Sequence, residues 1–111
     1  MPMNYLVISA LKKYYDFYGD TLKVECPTYS GIWMNLLEVA NELRRRLISI
    51  FTADDKGNRH LYAEYNQFYS RAENKELILF HEYFHGDNSK GLGSSHQTGW
   101  TALIAKLVEE I

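Results

Sequence analysis

Residues 77–100, LILFHEYFHGDNSKGLGSSHQTGW, contain a short apolar run, then the motif HEYFH, then a segment rich in glycine and serine. His81 and His85, with Glu82 next to the first of them, fit the H-E-x-x-H pattern of zinc peptidases. In that pattern two imidazoles one helical turn apart hold the metal, and the glutamate polarises a metal-bound water. Glu82 therefore has two candidate roles, in a zinc site or as a carboxylate acting without a metal.

The residues after the motif weaken the zinc interpretation. The extended form of the pattern needs glycine at position 88 and histidine at position 91, where this chain has Asn88 and Gly91. The run 86–88, Gly-Asp-Asn, should also stop the helix that the metal site requires. The remaining candidates for a third ligand are His96, Glu109 and Glu110. A zinc peptidase stays open as the minor alternative, and the sequence predicts neither a metal nor a cofactor.

Three segments have apolar residues at helical spacing, and each predicts an α-helix. They are residues 4–18, Ile32 to about Phe51, and Thr98 to about Glu110. Gly19 is placed to end the first helix. Asn35 and Glu38 have the spacing of a capping box, so the regular part of the second helix is expected to begin there. The first helix is apolar around much of its circumference and should have neighbours on more than one face.

The segments between these helices predict loops and short extended pieces. Residues 20–31 form a loop with an extended piece at Leu22–Glu25, 52–60 a turn-rich break, 61–76 a loop, 76–85 a short buried element and 86–99 a second loop. Neither a linker nor a repeat divides the sequence. The pattern therefore predicts one structural unit over residues 1–111, mainly α, with about three helices and long loops.

Composition limits the classes of protein that the chain can represent. The 111 residues carry 12 basic and 14 acidic side chains, a net charge of −2, which does not favour a nucleic-acid or membrane-surface binder. The apolar runs are too short to span a bilayer. The lone cysteine, Cys26, cannot form an internal disulfide, which favours a reducing compartment. The sequence therefore predicts a cytoplasmic protein that binds neither nucleic acid nor membrane.

The whole block ILFHEYFHGDNSKGLGSSHQTGWTALIA, residues 78–105, resembles the closing segment of glycoside hydrolase family 63. That family includes processing α-glucosidases and bacterial relatives that act on mannosylglycerate. The resemblance continues through PMNYLVISALKKYYDFYG at 2–19, TLKVECPTYSG at 21–31 and NLLEVANELRRRLISIF at 35–51. It implies the final part of an (α/α)6 barrel, that is, the C-terminal part of a glycosidase-like catalytic domain.

The resemblance also implies the chemistry of an inverting glycoside hydrolase. Glu82 occupies the position of the general base, while the general acid is an aspartate further upstream in the family. The aspartates of this chain do not match that acid; they are Asp16, Asp20, Asp54, Asp55 and Asp87. The chain alone is therefore expected to be inactive. Apolar and aromatic neighbours on both sides of Glu82 would desolvate its carboxylate and make it a better base.

Several aromatic and polar residues are candidates for contact with a carbohydrate substrate. They are Tyr29, Trp33, His81, His96, Gln97 and Trp100. A tryptophan ring stacks well on the C–H face of a pyranose, although Trp100 is equally suited to core packing on the last helix.

A non-catalytic helical module for binding or assembly is the other alternative. A helix that is apolar on several faces favours self-association, so the sequence predicts a homo-oligomer. Its interface would use one of two surfaces, Val7, Leu11 and Tyr14, or Leu36, Leu43 and Leu47.

Overall fold

The computed structural model describes residues 2–74, 76–95 and 98–110. Within these residues the chain is mainly α-helical, as the sequence predicts, with two small antiparallel sheets of two strands each. Contacts between Cα atoms divide it into two compact units, Pro2–Arg46 and Leu47–Ile111. That residues 1–111 form part of one catalytic domain remains a prediction.

The Pro2–Arg46 unit begins with helix α1, Pro2–Tyr18, which confirms the helix predicted over 4–18. Gly19 follows with φ of +60°, a left-handed conformation that glycine adopts without a Cβ clash, so the helix ends there. Ile8 is buried. Many of the other large apolar side chains of α1 are exposed; they are Met3, Leu6, Val7, Tyr14, Phe17 and Tyr18.

A hairpin and a second helix complete this unit. Strand β1, Lys23–Glu25, pairs antiparallel with strand β2, Trp33–Asn35, which confirms the predicted extended piece. Helix α2 runs over Leu36–Ser49, so the predicted start at Ile32 is wrong, because the residues before Leu36 pair with β1 instead. The capping box is confirmed. Asn35 Oδ1 accepts the N–H of Glu38 at 2.9 Å, and Glu38 Oε2 accepts the N–H of Asn35 at 2.8 Å.

The Leu47–Ile111 unit contains the predicted turn over residues 52–60. The Asp54 carboxylate accepts the N–H groups of Lys56 and Asn58 at 2.8 and 2.9 Å. The pKa of Asp54 lies below its usual value, first because of the bond from Asn58. Aspartate is typical of such turns because its side chain bonds to the backbone two residues further on.

The prediction of a loop over residues 61–76 is partly wrong. A 3-10 segment, His60–Tyr65, and a short helix α3, Asn66–Tyr69, lie there. Asn66 Oδ1 accepts the N–H of Arg59 at 2.8 Å, and Asn66 Nδ2 donates to the carbonyl of Arg59 at 3.0 Å. The apolar residues of this segment lack helical spacing because side-chain hydrogen bonds, rather than a buried apolar face, stabilise its helical turns.

The prediction of a buried element over residues 76–85 is also wrong. Leu77 and Ile78 are exposed, and the regular part is a two-residue strand β3, Tyr83–Phe84. It pairs antiparallel with strand β4, Gly91–Leu92, which lies within the segment predicted as loop. Phe80 and Phe84 are half-buried and form a phenylalanine cluster with the buried Phe51. The ring centre of Phe51 lies 6.0 Å from that of Phe80 and 5.6 Å from that of Phe84.

The predicted last helix is confirmed, with a break at Ala102 between α4, Thr98–Thr101, and α5, Leu103–Glu109. The buried side chains described for this unit follow the end of α2 or belong to the 3-10 segment and these helices; they are Ile50, Phe51, Leu61, Tyr62, Thr101, Ile104 and Leu107. In the described parts of the chain, every helix is too short or too polar to cross a membrane.

Candidate functional site

The hairpin that carries Glu82 is held by backbone bonds on both sides of its strands. Tyr83 lies opposite Leu92, and the N–H of Glu82 donates to the carbonyl of Ser94 at 2.9 Å. At the other end, the N–H of His85 donates to the carbonyl of Lys90 at 2.8 Å. The two strands therefore stay in register through the turn between them.

Glu82 presents an exposed carboxylate that is nevertheless fixed in place. Its Oε2 accepts the N–H of Ser94 at 3.2 Å, across the hairpin. The predicted apolar enclosure of this carboxylate is wrong for the described residues, since Glu82 and its neighbour Tyr83 are exposed. The rings of Phe80 and Phe84 pack on the ring of Phe51 instead. A carboxylate of this kind is free to reach water while one of its oxygens is held by the backbone.

His81 lies beside Glu82 and packs inside the hairpin. Its Nδ1 atom is buried, and its ring lies so close to Gly91 that a Cβ there would sit 2.7 Å from Nε2. The hydroxyl of Thr101, which is completely buried, donates to the carbonyl of His81. These contacts give His81 a packing role.

The segment 81–85 does not have the helical form that the zinc pattern needs. It contains strand β3, and an extended stretch of four residues separates its ends by roughly 13 Å, against about 6 Å for one helical turn. His85 Nδ1 accepts the N–H of Asp87 at 3.1 Å. Among the residues that the structure describes, three or more His, Cys, Asp or Glu side chains do not gather into a metal-binding group.

Two of the predicted substrate contacts belong to the other unit. Tyr29 is 95% exposed in the turn between β1 and β2, and Trp33 is 60% exposed in β2. They share one hairpin of the Pro2–Arg46 unit, while Glu82 and His81 share the hairpin of the Leu47–Ile111 unit. Their role in binding a sugar remains a prediction.

The other predicted contacts fall largely outside the described residues. His96 and Gln97 lie in the gap between residues 95 and 98. Trp100 belongs to helix α4, but its side chain is not among the described groups. Contacts of these three side chains with a sugar therefore remain predictions.

Sequence reasoning missed the residues that hold Glu82 and His81. Ser94 and Thr101 meet them only after the chain has reversed direction, so spacing along the sequence gives no sign of these contacts. The glycine-rich composition of 86–99 was the available signal, because glycines permit close approach of neighbouring side chains.

One ion pair joins the turn of this hairpin to the 3-10 segment. Lys90 Nζ donates to Glu64 Oε1, and the same ammonium lies 5.3 Å from the ring centre of Tyr65. The hydrogen bond raises the pKa of Lys90 and lowers that of Glu64. Since the pair is partly exposed, its main effect is on the position of the turn rather than on stability.

Comparison with known proteins finds a relative but no family. The chain is 44% identical, over 112 aligned residues, to a Saccharomyces cerevisiae protein named "Uncharacterized protein YMR196W". The alignment covers 99% of this chain and 10% of the yeast protein, so the chain spans about a tenth of that relative's length. No family model matches the chain, and no solved structure matches it.

Proposed function

We propose that this chain is the C-terminal part of an inverting glycoside hydrolase of the family 63 type, with Glu82 as its general base. The observation that carries the proposal is an exposed carboxylate held by the N–H of Ser94 within the sequence block that resembles the family. In this proposal the three larger helices belong to the final part of an (α/α)6 barrel. The substrate is an α-glucoside or a small glycoside such as mannosylglycerate.

Hydrolysis with inversion requires the attacking water to lose a proton and the leaving oxygen to gain one. Glu82 removes a proton from a water molecule as the water's oxygen attacks the anomeric carbon. The bond to the leaving oxygen breaks on the opposite face of the sugar, and that oxygen takes its proton from the upstream aspartic acid. The aspartates of this chain do not match that acid, so the 111 residues supply half of the catalytic pair. The bond from Ser94 suits a base because it orients the carboxylate without enclosing it.

A chimera tests this proposal. The segment of the yeast relative that aligns with this chain is replaced by residues 1–111, and hydrolysis of α-glucosides and mannosylglycerate is measured. Glu82→Gln should lower kcat by about 10²–10⁴-fold with little change in KM, because water activation is removed while binding is kept. Glu73→Gln, another exposed glutamate of the same unit, should leave the rate unchanged.

Two outcomes would contradict the glycosidase proposal. One is a chimera with Glu82→Gln that hydrolyses glycosides at the normal rate. The other is a complete lack of hydrolysis by both the chimera and the yeast protein. The isolated 111-residue chain is expected to be inactive in either case.

Elemental analysis separates this proposal from the zinc peptidase. The purified chain should hold no stoichiometric zinc. About one zinc per chain, removed by a chelator with loss of structure, would favour the peptidase instead.

Self-association is a second candidate function, favoured by the exposed apolar side of α1. Val7 and Tyr14 are 46% and 57% exposed, whereas Leu36 of the alternative surface is buried. The Val7, Leu11 and Tyr14 surface is therefore the better candidate for a homo-oligomer interface. Sedimentation should show dimers or larger species that Val7→Asp converts to monomers. A compact wild-type monomer at high concentration would contradict this.

A further inference from the structure

We propose that Gly93 is a positioning residue for the Glu82 carboxylate. Its catalytic consequence rests on the proposed function, but the contact itself does not. Gly93 has φ of +71° and faces the Glu82 side chain. A Cβ at position 93 would lie 2.6 Å from Glu82 Oε2, 2.9 Å from Glu82 Cβ and 2.8 Å from Tyr83 Cε1. Real Cβ atoms essentially never approach other atoms this closely, so any side chain here forces a neighbour to move.

The hydrogen bonds next to Gly93 explain why the approach is so close. Ser94 both accepts from the N–H of Glu82 and donates its own N–H to Glu82 Oε2. The carboxylate therefore folds back over the residue before Ser94 to reach that donor. A methyl group on residue 93 would occupy the space that Oε2 uses.

The backbone at Glu82, which directly precedes β3, is not free to move away from such a methyl group. The buried hydroxyl of Thr101 holds the carbonyl of His81, one residue before Glu82. The ladder of Tyr83 with Leu92 holds the other side. With the backbone held at both neighbours, the displacement falls on the side chain of Glu82. We therefore expect Gly93→Ala to break the bond between Ser94 N–H and the carboxylate while the hairpin stays paired.

Gly57 provides a matched control in the same unit. Its φ is +80°, close to that of Gly93, but a Cβ at position 57 would meet nothing within 4 Å. Gly57→Ala therefore introduces a similar backbone penalty without a contact to Glu82. The difference between the two variants isolates the steric effect on the carboxylate.

The first experiment uses amide NMR on the 111-residue chain. In the wild type the Ser94 amide proton should lie downfield of its position in Glu82→Ala, because it donates to the Glu82 carboxylate. Gly93→Ala should move this resonance upfield, toward its position in Glu82→Ala. Gly57→Ala should leave it at the wild-type position. A Gly93→Ala chain with a wild-type Ser94 resonance would overturn the proposal.

A second variant covers the case in which Gly93→Ala does not fold. Gly93→Asn places a Cβ at the same point, but asparagine accepts left-handed backbone more readily than alanine. It should give the same upfield shift of the Ser94 amide proton with the Tyr83 and Leu92 amides unchanged. A wild-type Ser94 resonance in this variant would overturn the proposal equally.

The chimera then separates positioning from function. Gly93→Ala should lower kcat at least tenfold with little change in KM, and Gly57→Ala should keep the wild-type rate. An NMR result as expected, with no hydrolysis by either the unmodified chimera or the yeast protein, would support the positioning contact and contradict the glycosidase proposal. An active chimera that loses its activity with Glu82→Gln but keeps it with Gly93→Ala would contradict the positioning role alone.

Discussion

Each of the two units is stabilised internally by a different kind of hydrogen bond. In the Pro2–Arg46 unit most of the described side-chain hydrogen bonds join residues close in sequence, as in the capping pair Asn35 and Glu38, although the bond from Asn35 to Asp20 spans fifteen positions. In the Leu47–Ile111 unit several such bonds join side chains to distant backbone. Tyr62 donates to the carbonyl of Leu77, fifteen residues further on, and Thr101 to that of His81, twenty residues back.

This difference predicts how each unit responds to mutation. A local bond within a helix is one of many similar bonds, and its loss weakens one turn. A side chain that holds two irregular segments together has no such substitute, and its loss leaves buried polar groups without partners. Single substitutions should therefore cost more in the Leu47–Ile111 unit.

The largest effect should come from Asn66→Ala. Asn66 bonds the N–H and the carbonyl of Arg59, and its Nδ2 also donates to the carbonyl of Ala63 at 2.8 Å. Loss of three partly buried bonds should lower the free energy of unfolding of this unit by about 2–4 kcal/mol, measured by amide hydrogen exchange. Asn74→Ala, which removes one exposed bond to the carbonyl of Phe68, should cost less than about 1 kcal/mol. Equal costs would contradict the importance of the Asn66 contacts.

The next effect should come from Tyr62→Phe. The hydroxyl of this buried tyrosine donates to the carbonyl of Leu77 at 2.7 Å and accepts the N–H of Leu79 at 3.3 Å. Its removal should cost about 1–2 kcal/mol. Tyr69→Phe keeps the ring that stacks on Tyr62 at 4.1 Å between ring centres and is the control.

Tyr62 should also make this unit sensitive to alkali. Burial raises the pKa of the Tyr62 hydroxyl above its usual value of 10.0. The unfolded chain therefore loses this proton first, so the stability that the hydroxyl contributes is full below about pH 10 and falls as pH rises further. In a denaturant titration the difference between wild type and Tyr62→Phe should shrink above that pH. A constant difference would contradict this.

The elements that the sequence predicts correctly are those fixed by local contacts. The helix over 4–18, its end at Gly19 and the start of α2 at the capping box were predictable, because each signal lies within a few residues of its effect. The loop predicted over 61–76 was partly wrong and the buried element predicted over 76–85 was wrong, because contacts of distant residues decide both segments.

The candidate site shows the same limit. The sequence predicts Glu82 and His81 as site residues because both belong to the motif HEYFH, which is followed by a glycine-rich segment. It does not predict Ser94 and Thr101, since nothing in their local sequence shows that they bond to Glu82 and His81. The membership of the chain in a barrel remains a prediction.

A smaller effect is expected from Asn35→Ala in the Pro2–Arg46 unit. The variant removes the cap on the N–H of Glu38 and the bond from Asn35 Nδ2 to Asp20 at 2.8 Å. Because both bonds are exposed to solvent, the cost should be about 1 kcal/mol, seen as faster amide exchange in the first turn of α2. Asn41→Ala, within the same helix, should be neutral or slightly stabilising, because alanine is the better helix former. A larger cost for Asn41→Ala would show that the cap does not decide where this helix begins.

The smallest effect should come from Glu42→Gln, and it should depend on pH. Hydrogen bonds from Arg45 and then from Arg46 lower the pKa of Glu42 to about 2. Both arginines are at least half exposed, so water screens these pairs and little stability is expected from them. A carboxyl whose pKa is lowered in the folded chain contributes its stability above its ordinary pKa of 4.5, and that contribution is lost as pH falls through about 2. Amide exchange of α2 should therefore differ between wild type and Glu42→Gln near neutral pH, and the two should converge in acid. A difference that persists unchanged at pH 2 would mean that Glu42 stabilises α2 by packing, and that this unit too depends on more than its local charge pairs.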